Sequence, residues 1–181
     1  MEPSTHPKIV ILAGSVRAGS LNAALADRVA EAARDQRFSV HLLDLADYQM
    51  PMYNGDDEAT HGQPDGAVRL HDVVVTADIL LIASPEFNGG PTPLLKNALD
   101  WVSRVSKRPL SGRRIGLMSA APGRGSGSYG LMTTRRILEH MHADVAESEL
   151  AIGHARTRLH EDDFDIDNDI KEFLADVARG A

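Results

Sequence analysis

The sequence predicts an α/β fold, a doubly wound three-layer sandwich built on a five-stranded parallel sheet with strand order 2-1-3-4-5. Short, continuously apolar runs alternate along the chain with longer segments of helical periodicity. Such apolar runs are typical of strands buried on both faces, and their alternation with helices predicts parallel strands joined by right-handed crossovers. In these sheets ligands bind beyond the carboxyl ends of the strands, so we expect the site in the loops after strands one, three and four.

The individual elements follow from the pattern of apolar residues. Strands are predicted at residues 8–13, 39–44, 79–84, 115–120 and 144–150, and helices at residues 20–34, 65–76, 92–105, 127–140 and 164–179. The helix at 92–105 is the best specified, because Thr92 can cap it, Pro93 suits its first position and its broad apolar face includes Trp101. We expect this tryptophan either in the core or at a subunit interface.

Residues 48–64 form a long connection without clear periodicity, and they contain Asn54-Gly55 followed by an acidic run. Connections of this length inside a compact domain are often functional. Two interpretations stay open: a solvated crossover, or a segment that forms a rim over the site or a subunit contact.

Length and composition predict a single domain over residues 1–181, with residues 1–7 and 180–181 flexible. The formal net charge of -7 argues against nucleic acid or an anionic membrane as a partner. The chain contains no cysteine, which excludes disulfides and thiolate chemistry and is compatible with a cytoplasmic location. No apolar run is long enough to span a bilayer, and the histidines are scattered, so no metal site is predicted.

The loop after the first strand, residues 14–22, has the features of a phosphate site. Its two glycines allow a sharp turn and a close approach to an anion, and the start of the following helix presents unpaired N–H groups. The loop is neither a Walker A motif nor a dinucleotide fingerprint, so the phosphate of a nucleotide, a sugar phosphate or a flavin would fit. The candidate side-chain donors are Ser15, Arg17, Ser20 and Asn22.

The loop after the third strand, residues 84–91, contains two prolines and two glycines. Such a loop has a fixed path and holds peptide N–H and C=O groups towards whatever lies above the sheet, which suits a flat heteroaromatic ring. The alternative is a rigid turn that only starts the next helix. Glu86 is either a general acid or base, or an anchor that accepts hydrogen bonds from backbone N–H groups.

The loop after the fourth strand contains a G-x-G-x-x-G pattern at Gly125, Gly127 and Gly130, with Glu147 and Glu149 on the next strand. This pattern is typical of dinucleotide-binding folds, but here it starts several residues after the strand and belongs to the fourth unit of the chain. We therefore weigh a dinucleotide site against a glycine-rich loop that borders a different ligand.

Three stretches, in this order and each at the end of a predicted strand, resemble the successive motifs of the NAD(P)H-dependent FMN reductase family. They are residues 14–22 (GSVRAGSLN), residues 85–89 (PEFNG) followed by 95–101 (LKNALDW), and residues 121–124 (APGR). The family includes FMN, quinone, azo and chromate reductases with a flavodoxin-like fold. The chain departs from its pattern at Phe87, where a tyrosine is usual, and at Gly90, where a serine is often found.

The resemblance implies an FMN site formed by all three loops. Its phosphate would be held by Ser15, Arg17, Ser20, Leu21 and Asn22, its ribityl chain and ring would be bordered by Pro85, Glu86, Phe87, Asn88 and Gly89, and its other side by Ser119, Pro122, Gly123 and Arg124. The cofactor carries the chemistry, so no side-chain catalyst is expected.

The function implied by the resemblance is ping-pong transfer of hydride from NADPH or NADH through FMN to a small electron acceptor, by a homodimer or homotetramer. Two rival functions are an FMN-binding electron carrier that does not oxidise NAD(P)H, and an NAD(P)-binding regulator. A basic group either meets the phosphate of NADPH or is a solvated cluster; it consists of Arg104, Lys107, Arg108, Arg113 and Arg114.

Overall fold

In the computed structural model, which describes residues 7–159 and 164–180, five parallel strands form one sheet in the order β2-β1-β3-β4-β5. The strands are β1 (Lys8–Ala13), β2 (Ser39–Leu43), β3 (Ile79–Ala83), β4 (Arg114–Ala120) and β5 (Asp144–Ile152). The predicted fold class and strand order are confirmed. The predicted flexible ends lie outside the described residues, except for Pro7 and Gly180.

The helices of the described residues are α1 (Leu21–Asp35), α2 (Gly55–His61), α3 (Asp65–Val74), α4 (Pro93–Val105), α5 (Ser128–His140), α6 (Ala155–Arg158) and α7 (Phe164–Ala178). The five predicted helices are all present, with bounds within two residues of those predicted. Helices α2 and α6 and a short 3-10 turn at Leu45–Asp47 were not predicted. Helix α2 lies inside the connection that the sequence leaves without an element.

The two faces of the sheet carry separate apolar clusters. Successive side chains of a strand point to opposite faces, so Ile9 and Ile11 pack towards α1 and α7 while Val10 and Leu12 pack towards α3, α4 and α5. The three layers of the predicted sandwich are therefore one helical layer, the sheet and a second helical layer.

Helix α4 begins as predicted, with the Thr92 hydroxyl accepting a hydrogen bond from the Leu95 N–H at 3.2 Å. Trp101 is 1% exposed, its indole N–H donates to the Pro51 carbonyl at 2.8 Å, and its ring meets that of Tyr53 edge to face at 5.1 Å. The tryptophan is thus a core residue of its own chain. It also fastens part of the 48–64 connection along α4, so that connection is not a free crossover.

Among residues 7–159 and 164–180, no helix combines the length and the apolar character that a membrane span requires.

Candidate functional site

Three loops converge at the carboxyl edge of the sheet. They follow β1 (residues 14–20), β3 (residues 84–92) and β4 (residues 121–127), and these three strands are neighbours in the sheet. The loops are therefore adjacent above one edge, as expected for the site of a doubly wound fold.

The first loop presents a positive, donor-rich surface. Gly19 has a φ of +68° that favours glycine, and Ser20 caps α1 by accepting a hydrogen bond from the Ala23 N–H at 3.3 Å. The Ser15 hydroxyl accepts from the Arg17 N–H at 3.4 Å, and the Arg17 side chain is exposed. The start of α1 adds a partial positive charge, so this loop can bind an anion such as a phosphate.

Two of the residues predicted for the phosphate, Leu21 and Asn22, begin α1 but direct their side chains away from the first loop. Leu21 is half-buried and packs against the apolar cluster on the face of the sheet that α1 and α7 cover. Asn22 is 3% exposed, and its side-chain amide bonds the backbone of Ala120: Nδ2 donates to the carbonyl at 2.8 Å, and Oδ1 accepts from the N–H at 3.0 Å. The Asn22 amide therefore faces the end of β4 and not the interior of the first loop.

The second loop closes as a tight turn. Phe87 and Gly90 exchange backbone hydrogen bonds of 2.8 and 3.1 Å, and Asn88 and Gly89 between them have φ values of +52° and +78°. Positive φ at both central residues defines a type I′ turn, for which Asn-Gly is the favoured pair. The turn leaves the Phe87 ring 58% exposed, while Pro85 is half-buried beside the end of β3.

Glu86 joins the second loop to α5. Its carboxylate accepts a hydrogen bond from the Gly130 N–H at 3.0 Å, in the first turn of that helix, and the Thr133 hydroxyl donates to the Gly89 carbonyl at 2.6 Å. A carboxylate is favourable at this end of a helix because the helix dipole is positive there. The geometry favours the anchor interpretation of Glu86 over direct acid–base chemistry.

The glycines of the third loop serve packing. Gly127 has a φ of +81°, and a Cβ there would lie 2.0 Å from the Ser119 Oγ; a Cβ on Gly130 would lie 2.9 Å from the Glu86 Cβ. Glu149, one of the two acidic residues considered for a dinucleotide ribose, bonds the Arg135 guanidinium at 2.8 and 3.0 Å. These contacts favour a loop that borders a different ligand over a dinucleotide site.

The remaining residues predicted for this side differ in depth. Ser119 is fully buried beneath the loop, and its hydroxyl makes no hydrogen bond to any residue that the structure describes. Pro122, Gly123 and Arg124 are exposed on the loop itself. The loop rests on the turn after β5, where the His154 N–H donates to the Gly123 carbonyl at 3.1 Å.

The basic group considered for NADPH does not face this edge. Arg114 begins β4 at the opposite end of the sheet and pairs with Asp144 at 2.8 Å, and Arg113 donates to the carbonyls of Val75 and Ser111. Arg104 pairs with Glu58 at 2.9 Å, and the exposed Lys107 and Arg108 precede β4. Their placement favours the interpretation as structural and solvated charges.

A ligand with a phosphate at one end and a flat ring at the other suits this edge. The first loop supplies Arg17, serine hydroxyls and a helix start. The other two loops supply exposed backbone and Phe87, which is 58% exposed, and the first turn of α5 adds Tyr129, which is 68% exposed. A family model described as NADPH-dependent FMN reductase matches residues 7–157. The chain belongs to the NADPH-dependent FMN reductase family.

Individual relatives agree with that assignment. An NAD(P)H-dependent FMN reductase of Pseudomonas aeruginosa is 37% identical over 117 residues, which are 65% of this chain and 61% of that protein's length. A quinone reductase of Escherichia coli is 31% identical over 138 residues, 76% of this chain and 72% of that protein. A solved structure of a flavoenzyme NAD(P)H:(acceptor) oxidoreductase from Paracoccus denitrificans has a TM-score of 0.80 at 23% identity, covering 96% of this chain and 98% of that one.

Membership of the NADPH-dependent FMN reductase family confirms three predictions made from the motifs. These are the family itself, the oxidoreductase class of enzyme, and FMN with NAD(P)H as the cofactor and co-substrate of that class. The structural likeness to the Paracoccus flavoenzyme independently confirms the flavodoxin-like fold.

Proposed function

We propose that this member of the NADPH-dependent FMN reductase family binds FMN across the carboxyl edge of the sheet and reduces a small electron acceptor at the expense of NADPH or NADH. The observation that carries the proposal is the convergence of three loops at the ends of β1, β3 and β4. The first loop is positive and rich in hydrogen-bond donors, and the other two expose their backbone. Ser15, Arg17, Ser20 and the first N–H groups of α1 bind the phosphate. Residues 85–89 and 122–124 border the ribityl chain and the ring.

When bound, FMN supplies the redox chemistry, accepting hydride from the nicotinamide and returning the electrons to the acceptor. The chain binds and orients: Arg17 neutralises the phosphate, the type I′ turn fixes the backbone N–H and C=O groups beside the ring, and Glu86 holds that turn on α5. No side-chain acid or base is required. Because the three loops would border the ring without covering it, the nicotinamide and the acceptor would bind in turn at the same place, and we expect ping-pong kinetics.

The acceptor is a free flavin, a quinone, an azo compound or a metal oxyanion, all of which suit an open ring face. A quinone is favoured, because the E. coli relative that aligns with 76% of this chain is named a quinone reductase. The rival electron carrier is disfavoured, because such proteins usually enclose the ring between two aromatic side chains, whereas the three loops contain one aromatic residue, Phe87.

We further infer a single domain that assembles as a homodimer or homotetramer in the cytoplasm. The apolar face of α4 is not evidence for a subunit interface, since Trp101 is buried within its own chain. Support comes instead from large apolar side chains exposed near the site: Phe87, Tyr129 and Met132 are 58%, 68% and 44% exposed. Sedimentation velocity measures the assembly, and a monomer at micromolar concentration would contradict it.

Anaerobic mixing tests the proposed function. The FMN-loaded protein should lose its yellow colour with NADPH or NADH and regain it on addition of a quinone. In steady-state assays that vary both substrates, double-reciprocal plots of the initial rates should give parallel lines. A flavin that dithionite bleaches but neither nicotinamide bleaches would identify an electron carrier. Protein that takes up no FMN would support the regulator instead.

A further inference from the structure

The end of β4 extends beyond its neighbour in the sheet. Pairing of β3 with β4 stops at Ala83 opposite Met118, with the Ser84 N–H donating to the Met118 carbonyl at 2.8 Å, whereas pairing with β5 continues to Ala120 opposite Ile152. The last two residues of β4 therefore have a strand on one side only.

The backbone groups of Ala120 point towards the side where β3 has ended. Successive residues of a strand direct their backbone groups to alternate neighbours, and those of Met118 bond β3 while the Ala121 N–H bonds the Ile152 carbonyl of β5 at 3.0 Å. A buried peptide group without a partner is costly, so this N–H and C=O need another source of hydrogen bonds.

The Asn22 side chain supplies both bonds. Its amide has the donor and the acceptor of a peptide group, and it bonds the Ala120 carbonyl at 2.8 Å and the Ala120 N–H at 3.0 Å, as a paired strand would. Asn22 is the second residue of α1 and lies in the first turn, which Ser20 caps. The first turn of α1 is thus joined both to the first loop, which precedes it, and to Ala120 at the start of the third loop.

On this basis we propose that the Asn22 side chain has a positioning role, in which it sets the third loop against the flavin ring, and that this side chain is not a ligand of the phosphate. The proposal rests on the proposed function, because it takes FMN as the ligand of the three loops. The loop is fixed at its other end as well, since Gly127 lies against the buried Ser119 with no space for a Cβ. Release at Ala120 frees the attachment to α1, while the backbone bonds of Ala121 and Gly123 to β5 and the turn after it remain.

Binding of FMN and of riboflavin, which lacks the phosphate, separates the two roles. Removing a side chain that binds the phosphate weakens the binding of FMN alone. Removing a side chain that positions the third loop weakens the binding of both flavins by the same factor. For Asn22→Ala we expect FMN and riboflavin affinities to fall together, by about tenfold, as two buried hydrogen bonds are lost. For the double variant Arg17→Ala with Ser20→Ala, we expect FMN to weaken by a similar factor and riboflavin to stay within about twofold.

Asn97→Ala is the matched control. Asn97 makes the same two-bond bridge, accepting from the Tyr53 N–H at 2.8 Å and donating to the Pro51 carbonyl at 2.9 Å, but it fastens the connection beside α4. Its loss should leave both flavin affinities unchanged. An Asn22→Ala protein that binds riboflavin normally, whether or not FMN weakens, overturns the proposal, as does an Asn97→Ala protein with the same losses.

Hydrogen exchange on the unsubstituted, ligand-free protein provides a test that does not depend on a variant folding. The Ala120 N–H should exchange as slowly as that of Met118, although β3 ends before the side to which this N–H points. Exchange at the rate of the exposed Gly125 N–H would overturn the proposal. Failure of the proposed function has a different signature, in which the unsubstituted protein binds neither FMN nor riboflavin.

Discussion

Gly127 shows at the level of a single residue why a glycine motif can mislead. The sequence presents three glycines in a dinucleotide-like pattern, but the described structure uses them differently: Gly127 and Gly130 are enclosed by Ser119 and Glu86, while Gly125 has nothing within 4 Å of a Cβ position. The spacing is visible in the sequence, whereas the neighbours that make glycine necessary are brought there by other strands and loops.

Gly127→Ala should therefore destabilise the protein strongly. The new Cβ would meet the Ser119 Oγ at 2.0 Å, and the φ of +81° is unfavourable for a residue with a side chain. We expect a loss of at least about 2 kcal/mol in the free energy of unfolding, measured by urea denaturation.

Gly125→Ala provides the comparison, with an expected change within about 0.5 kcal/mol. Ser119→Ala should be neutral or slightly stabilising, because its buried hydroxyl bonds none of the residues in the described part of the chain. Equal stability of the two glycine variants would show that the third loop does not have the described path.

Asn22 marks the limit of residue-level prediction. The sequence motif of residues 14–22 marks Asn22 as a hydrogen-bonding residue, but its partner Ala120 is 98 positions away in the sequence. No local pattern identifies such a pair. Only the strand order together with the length of β4 beyond β3 would have suggested that its last residue needs an external hydrogen-bonding group.

At the level of elements, helix starts were predictable where a cap and an apolar stripe coincide. Helix α4 has Thr92, Pro93 and an apolar face, and its predicted start differs by one residue from the observed one. Helix α2 was missed because it has no buried residue and no apolar stripe. Its signal was the Asn54 cap followed by the acidic first turn, which resembles a solvated loop in composition.

Glu86 stabilises α5 from outside the helix. Gly127 at the cap position has no side chain, so the Glu86 carboxylate takes the place of a capping group for the Gly130 N–H. Glu86→Ala should lower the free energy of unfolding by about 1 kcal/mol, with Glu86→Gln between it and the unsubstituted protein, as measured by urea denaturation.

Glu139→Ala is the control for that pair of variants. Glu139 is exposed near the other end of α5, where a negative charge is not favoured by the helix dipole, so the change should stay within about 0.5 kcal/mol. If Glu86→Ala is no more destabilising than this control, the carboxylate is not the cap of α5.

The attachment of α2 to α4 should depend on pH. The Arg104 guanidinium hydrogen-bonded to Glu58 lowers the pKa of that carboxyl below its ordinary value. A carboxyl with a lowered folded-state pKa contributes stability fully above its ordinary pKa, and the contribution is lost as the pH falls through the lowered value. The attachment should thus be unchanged near neutrality and should loosen only in acid.

Trp101 is the single tryptophan of the chain and contacts Tyr53, so its fluorescence reports this attachment. We expect a change in emission on acidification that Glu58→Gln abolishes and Asp57→Asn, at a neighbouring exposed position, retains. A response that survives Glu58→Gln would assign the transition to another group.

At the level of the whole molecule, the fold was predictable because each layer has its own periodicity. Continuous apolar runs mark buried strands, wider stripes mark helices, and a chain of five such units has few sheet orders available. The site was predictable as a place, the carboxyl edge of β1, β3 and β4, and as three stretches of sequence. Which side chains face the ligand and which hold the loops depends on contacts across the sheet.

Flavin binding should stabilise the whole fold. A ligand that binds only the folded state at 100 times its Kd adds about 2.7 kcal/mol, and for a chain of this size that raises the melting temperature by roughly 5 to 10 °C. FMN should raise the melting temperature more than riboflavin at equal concentration, as measured by differential scanning calorimetry. An equal rise in melting temperature for both flavins would mean that the first loop contributes no binding free energy through the phosphate.

The hydrogen bonds between the three loops also bear on the order of events during synthesis. The Thr92 hydroxyl bonds the Gly14 carbonyl across 78 positions, and Asn22 bonds Ala120 across 98. Contacts that close such long loops form late, and domains fold as their chain leaves the ribosome. The first loop is therefore translated early, but the three-loop site is completed only when β4 has emerged, so we expect a nascent chain to retain no flavin until most of the protein has been made.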